Sequence, residues 1–199
     1  MLPLLFGYFC CLWTLSVALG QTDNKTAPIP FRTLTPLLDT PWTKHVNTKS
    51  NPWPEYPRPL LRRESWQTLN GIWTYQAASG DEGLITPPYF PLAEEVRIPF
   101  CIESALSGIM AFDVTHIWFA TPFTLPSGWA GQRVLLHFEA VDYETDVFLN
   151  GEHVGFNRGG YFRFRIAEEG KEHMGKGIQL ESADRHSHGQ SSNGLKTEP

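Results

Sequence analysis

An all-β sandwich is the fold class this sequence predicts. Three observations point to it: short runs rich in aromatic and β-branched residues, turn signals every ten or so residues, and no helical period longer than about two turns. Gly71-Ile72-Trp73-Thr74-Tyr75-Gln76 is the first such run, bounded by Asn70-Gly71 and Ser79-Gly80. Glu95-Val96-Arg97-Ile98 alternates apolar and charged residues and stops at Pro99. His116 to Leu125 is aromatic and β-branched and ends at Pro126-Ser127-Gly128. Between Arg133 and Glu139, Val134, Leu136 and Phe138 fall on one face. Asp146 to Leu149, then Asn150-Gly151, then Glu152 to Phe156 predicts a tight type I′ hairpin, because both turn residues tolerate positive φ. Tyr161 to Ile166 alternates again. The pattern fits a jelly roll as well as a fibronectin-like sandwich, and the lack of a Cys-Trp-Cys spacing counts against a true immunoglobulin domain.

The ends of the chain read differently from its middle. Of the 199 residues, the first twenty form a dense apolar run without a charged side chain, with Ala18 and Gly20 at signal-peptidase spacing. Residues 1–20 are therefore read as a signal peptide, which implies a secreted, extracellular product with no membrane span left after cleavage. Cys10 and Cys11 leave with that segment, so Cys101 remains without an internal disulfide partner, and the domain must be held by its core. Asn24 opens a glycosylation tripeptide with Lys25 and Thr26. Residues 21–50 read as an extended leader, followed by four prolines between Asn51 and Pro59, with Trp53 and Tyr56 as anchoring side chains.

Charge narrows the partners. The net charge of −5 is spread over both signs without a Lys/Arg block, which argues against nucleic acid. No metal-ligand spacing stands out; His186 and His188 lie in a Ser/Gly-rich tail without a third ligand nearby, so neither metal nor cofactor is expected.

Four motifs carry a resemblance to a known family. Arg58-Pro59-Leu60, followed by Glu64-Ser65-Trp66-Gln67-Thr68-Leu69-Asn70-Gly71-Ile72-Trp73, resembles the opening segment of the first domain of glycoside hydrolase family 2, the family of β-galactosidases, β-glucuronidases and β-mannosidases. Pro99 to Gly108 resembles its "PF-ESALSG" loop, and Arg133 to Tyr143 its "RV-L-F-AVDY" strand and turn. Phe148-Leu149-Asn150-Gly151, Val154-Gly155 and Arg158-Gly159-Gly160-Tyr161 resemble its "V-NG-VG…GGY" hairpin and loop. The resemblance implies a galactose-binding-like jelly roll over residues 51–166 that binds a β-glycoside carbohydrate. It departs after Trp118, where Phe119-Ala120-Thr121 replaces a basic tripeptide, and at Cys101, read as a small buried side chain.

In this family the two hydrolytic carboxylates, about 5 Å apart, belong to a (β/α)8 barrel of roughly 250 residues that follows the sandwich domains. The resemblance thus implies no catalytic residue among these 199 and a chain inert by itself. Asp142, Glu144 and Asp146 alternate as on a solvated strand face. Glu64 and Glu103 read as loop hydrogen-bonding groups, and His137 as a surface or interface residue. Trp118 and Trp129 read as buried. Asn157, Arg158, Gly159 and Tyr161 are the carbohydrate-contact candidates, because paired glycines allow close backbone approach while Arg158 and Tyr161 offer donors and an aromatic face; Tyr161 packing into the core is the favoured competing reading. Residues 167–199 lose the resemblance and read as a divergent, disordered tail, with Ile178-Gln179-Leu180 a weak substitute for the closing strand. A sandwich left open in this way would expose a sheet edge suited to association with a partner.

Overall fold

Strand His116–Phe123 shows how the sequence builds this molecule, since its apolar residues are buried on both faces. Ile117, Phe119 and Phe123 point into the core between two sheets, where Trp73, Val96, Leu136 and Phe138 meet them. Trp118 and Ala120 point the other way and are covered by Leu92 and Phe148. A strand covered on both sides reads as a continuous apolar run, which is what this stretch shows. Complete burial of a side chain the size of Phe119 contributes roughly 1.5–3 kcal/mol.

The computed structural model describes residues 27–49, 63–80, 86–88, 90–129, 132–168, 178–185 and 195–198. The segment read as a signal peptide, Asn24, the proline-rich run with Trp53 and Tyr56, and His186 and His188 lie outside these residues. The described strands are β1 (Gln67–Thr68), β2 (Gly71–Ala77), β3 (Glu94–Ile98), β4 (His116–Phe123), β5 (Val134–Phe138), β6 (Glu144–Leu149), β7 (Glu152–Arg158), β8 (Phe164–Glu168), β9 (Ile178–Arg185) and β10 (Leu195–Glu198). They form a six-stranded sheet in the order β3-β2-β4-β9-β6-β7 and a four-stranded sheet in the order β1-β10-β5-β8. The two sheets close a jelly-roll sandwich over one principal core; Phe138 and Phe164 stack across β5 and β8 with ring centres 4.5 Å apart.

The tail differs from expectation. Read from its composition as disordered apart from Ile178-Gln179-Leu180 as a weak substitute strand, it supplies β9, which opens with those three residues, and β10. β9 lies between β4 and β6, in register from His116↔Arg185 to Phe123↔Ile178 on one side and from Glu144↔Arg185 to Leu149↔Leu180 on the other. Backbone pairing needs only N–H and C=O groups, so a segment without hydrophobic alternation can still fill a gap between two strands. The expected open edge at this position is therefore occupied, and among the described strands β3 and β7 end the six-stranded sheet.

Two local features follow directly from residue type. Asn150 and Gly151 both have positive φ, +51° and +82°, as the I′ turn between β6 and β7 requires. The leader runs along β3: Ile29 N–H donates to the Ala93 carbonyl and Glu95 N–H to the Ile29 carbonyl, each at 2.8 Å. Further along, the buried Arg97 guanidinium donates to the Asn47 carbonyl, and burial lowers its pKa.

Candidate functional site

The turn between β7 and β8 is held in place by its own neighbours. Asn157 Nδ2 donates to the Gly159 carbonyl at 3.2 Å. Gly159, at φ +130°, donates its N–H to the Tyr143 carbonyl at 2.7 Å. Arg158 Nη2 meets Glu144 Oε1 at 2.7 Å, and its guanidinium sits 5.5 Å from the centre of the Tyr143 ring. Gly160 lies so close to Asp142 that a Cβ there would come within 2.4 Å of the carboxyl carbon, so only glycine fits without a shift. The result is a turn locked onto residues 142–144.

Beyond that lock the chain projects outward. Tyr161 is 93% exposed and Phe162 78% exposed, with Tyr143 and Phe156 also open to solvent. The four sequence candidates thus share one turn but divide in role. Asn157, Arg158 and Gly159 are engaged in internal contacts, and Tyr161 presents a free aromatic ring. The favoured reading of Tyr161 as a core residue is corrected: the ring is exposed and lies in the turn that precedes β8, on the side opposite to the inward Phe164 and Ile166. Phe162 was missed because the alternation over 161–166 reads as a strand from its first residue.

The remaining candidates sort by their partners. Glu144 and Asp146 share the outer face of β6, and each meets a side chain from β7: the Arg158 guanidinium for the first and the His153 ring, at 2.8 Å, for the second. Glu64 is exposed, while Glu103 stands near Cys101 and helps raise the pKa of its thiol. The adjacent loop turn is capped by the Ser104 hydroxyl, which accepts from Leu106 N–H. Cys101 is half-buried, and burial pushes its pKa up, as suits a small packing side chain. Trp118 and Trp129 are buried.

His137 is corrected. It faces away from the core but is only 9% exposed, because the Trp66 ring lies over it with centroids 5.4 Å apart. Its pKa falls from 6.5 to about 4, first through burial and then through the positive charges of Arg165, Arg63 and Arg163. Residue 137 is distant in sequence from Trp66, and nothing in the local alternation announces that cover.

These features define an antiparallel jelly-roll domain whose outward chemistry is an aromatic-tipped turn. Residues 88–170 match the family described as glycosyl hydrolases family 2, sugar binding domain. Within residues 88–170 the chain thus carries a domain similar to the sugar binding domain of that family. A β-glucuronidase of Paenibacillus borealis is 25% identical over 128 residues, which is 59% of this chain and 21% of the relative. Among solved structures, the Faecalibacterium prausnitzii β-glucuronidase is similar at 25% identity and a TM-score of 0.53, over 65% of this chain and 22% of the other. The Ruminococcus gnavus β-glucuronidase in complex with D-glucuronic acid shares the fold at 15% identity and a TM-score of 0.56, over 69% of this chain and 30% of the other. The chain spans about a fifth of the length of the curated relative it matches over the longest stretch.

Proposed function

We propose that this domain binds a β-glycoside carbohydrate at the turn between β7 and β8, as the N-terminal module of a family 2 glycosidase. The observation that carries the reading is the exposed Tyr161 ring in a turn whose preceding residues, Asn157 to Gly160, are internally braced. A braced loop loses little conformational freedom on binding, and an exposed aromatic ring offers a flat apolar face to the C–H side of a pyranose. Arg158, held by Glu144 and Tyr143, supports the turn and supplies guanidinium N–H groups at its edge. The relatives named as β-glucuronidases support a glycosidase setting, in which hydrolysis is carried out by a carboxylate pair outside the residues described here. The reading includes export through residues 1–20 and modification of Asn24.

Calorimetric titration of the full chain with methyl β-glucuronide and methyl β-galactoside tests this. Tyr161→Ala is expected to weaken binding of the preferred glycoside by about three- to tenfold while leaving thermal unfolding unchanged. Equal affinity in the variant would remove the turn from the site.

A further inference from the structure

The outer face of the four-stranded sheet holds a cleft of ≈290 Å³, away from the core and built from three separated stretches of chain. Arg63 and Trp66 come from the segment before β1, His137 and Glu139 from the end of β5, and Arg163 and Arg165 from the start of β8. Three guanidinium groups and one carboxylate therefore line the same cleft. That carboxylate, Glu139, lies 3.7 Å from Arg163. In register, His137 stands beside Arg165 of β8 on one side and Lys196 of β10 on the other. The imidazole is kept neutral by burial and by the same three arginines, so it adds a polar ring without adding to the charge.

We propose that this cleft is a second binding site, for one acidic monosaccharide unit: a pyranose bearing a carboxylate or sulfate group. A guanidinium matches such an oxyanion with two parallel N–H donors, and several together give a positive field that one surface arginine lacks. The half-buried Trp66 supplies a wall for the sugar ring. The volume falls at the lower end of small-ligand pockets, enough for a single sugar and not for a chain of them. This site is separate from the Tyr161 turn and stands or falls independently of it.

Side-chain NMR of His137 in the full chain, supported by calorimetry, tests the proposal. D-glucuronate and glucose 6-sulfate are expected to bind saturably and to raise the His137 pKa by about one unit or more from its value near 4, because an anion beside the ring favours its protonated form. Arg165→Gln, at an exposed position, is expected to weaken binding at least about tenfold by calorimetry, whereas Tyr161→Ala leaves it unchanged. Four results would overturn the site: glucose binding as well as glucuronate, inorganic sulfate binding as well as both acidic sugars, a non-saturating shift equal to that in sodium chloride, or binding unaffected by both Arg163→Gln and Arg165→Gln.

Discussion

The β7–β8 turn and the arginine cleft are separated by only a residue or two of chain, yet they are organised in opposite ways. The turn satisfies its polar groups locally, within residues 142–160, and leaves aromatic rings outside. The cleft collects charges from residues 63 to 165, lines one wall with the half-buried Trp66 ring and buries the imidazole beneath it. The difference teaches where specificity of each kind comes from. Local bracing makes a rigid apolar platform, while convergence of distant segments makes an electrostatic pocket.

The sharpest way to break this comparison is Gly160→Ala. The new methyl collides with Asp142, so stability should fall by about 1–3 kcal/mol in chemical denaturation, and the turn should lose carbohydrate binding. If the two regions are independent, the His137 pKa stays near 4 in that variant.

The pH dependence of stability probes the cleft. With a folded pKa near 4 against an ordinary 6.5, His137 takes up a proton in the unfolded chain before it does in the folded one. Stability should therefore decline as pH falls from 6.5 to 4, with no contribution from this group to a slope above that window. His137→Gln should flatten the decline, as measured by denaturant midpoints at pH 7 and 4.5. Arg165→Gln should raise the His137 pKa toward its ordinary value, since that arginine is the largest charged contributor to the depression. The smallest effect is expected from Glu144→Gln. It breaks an ion pair whose arginine is solvent-exposed and should cost about 0.2–1 kcal/mol, measured as a small shift in the unfolding midpoint.

The same contrast explains what could be read in advance. The Asn150-Gly151 turn was legible because the backbone preference resides in those two residues. β4 was legible because its apolar run needs no knowledge of its neighbours. The family motif around Arg158-Gly159-Gly160-Tyr161 located the turn, but the exposure of Phe162 depends on where β8 starts, because alternation over 161–166 would put Phe162 on the inward face with Phe164 and Ile166. The cover over His137 was invisible because Trp66 reaches it through the fold and not through the sequence. β9 was legible only at its start, Ile178-Gln179-Leu180; the rest was not, because its place is set by the backbone edges of β4 and β6 and a segment such as Glu181-Ser182-Ala183-Asp184 carries no hydrophobic alternation of its own.

The central claim, that a braced turn offers the Tyr161 ring to a sugar, is most directly tested by following the aromatic proton resonances of the full chain during titration with a methyl β-glycoside. Upfield shifts of sugar C–H signals, with matching saturable changes at Tyr161 and Phe162 and none at Trp118, are the predicted result. Saturable sugar binding that leaves both exposed rings unperturbed would contradict it.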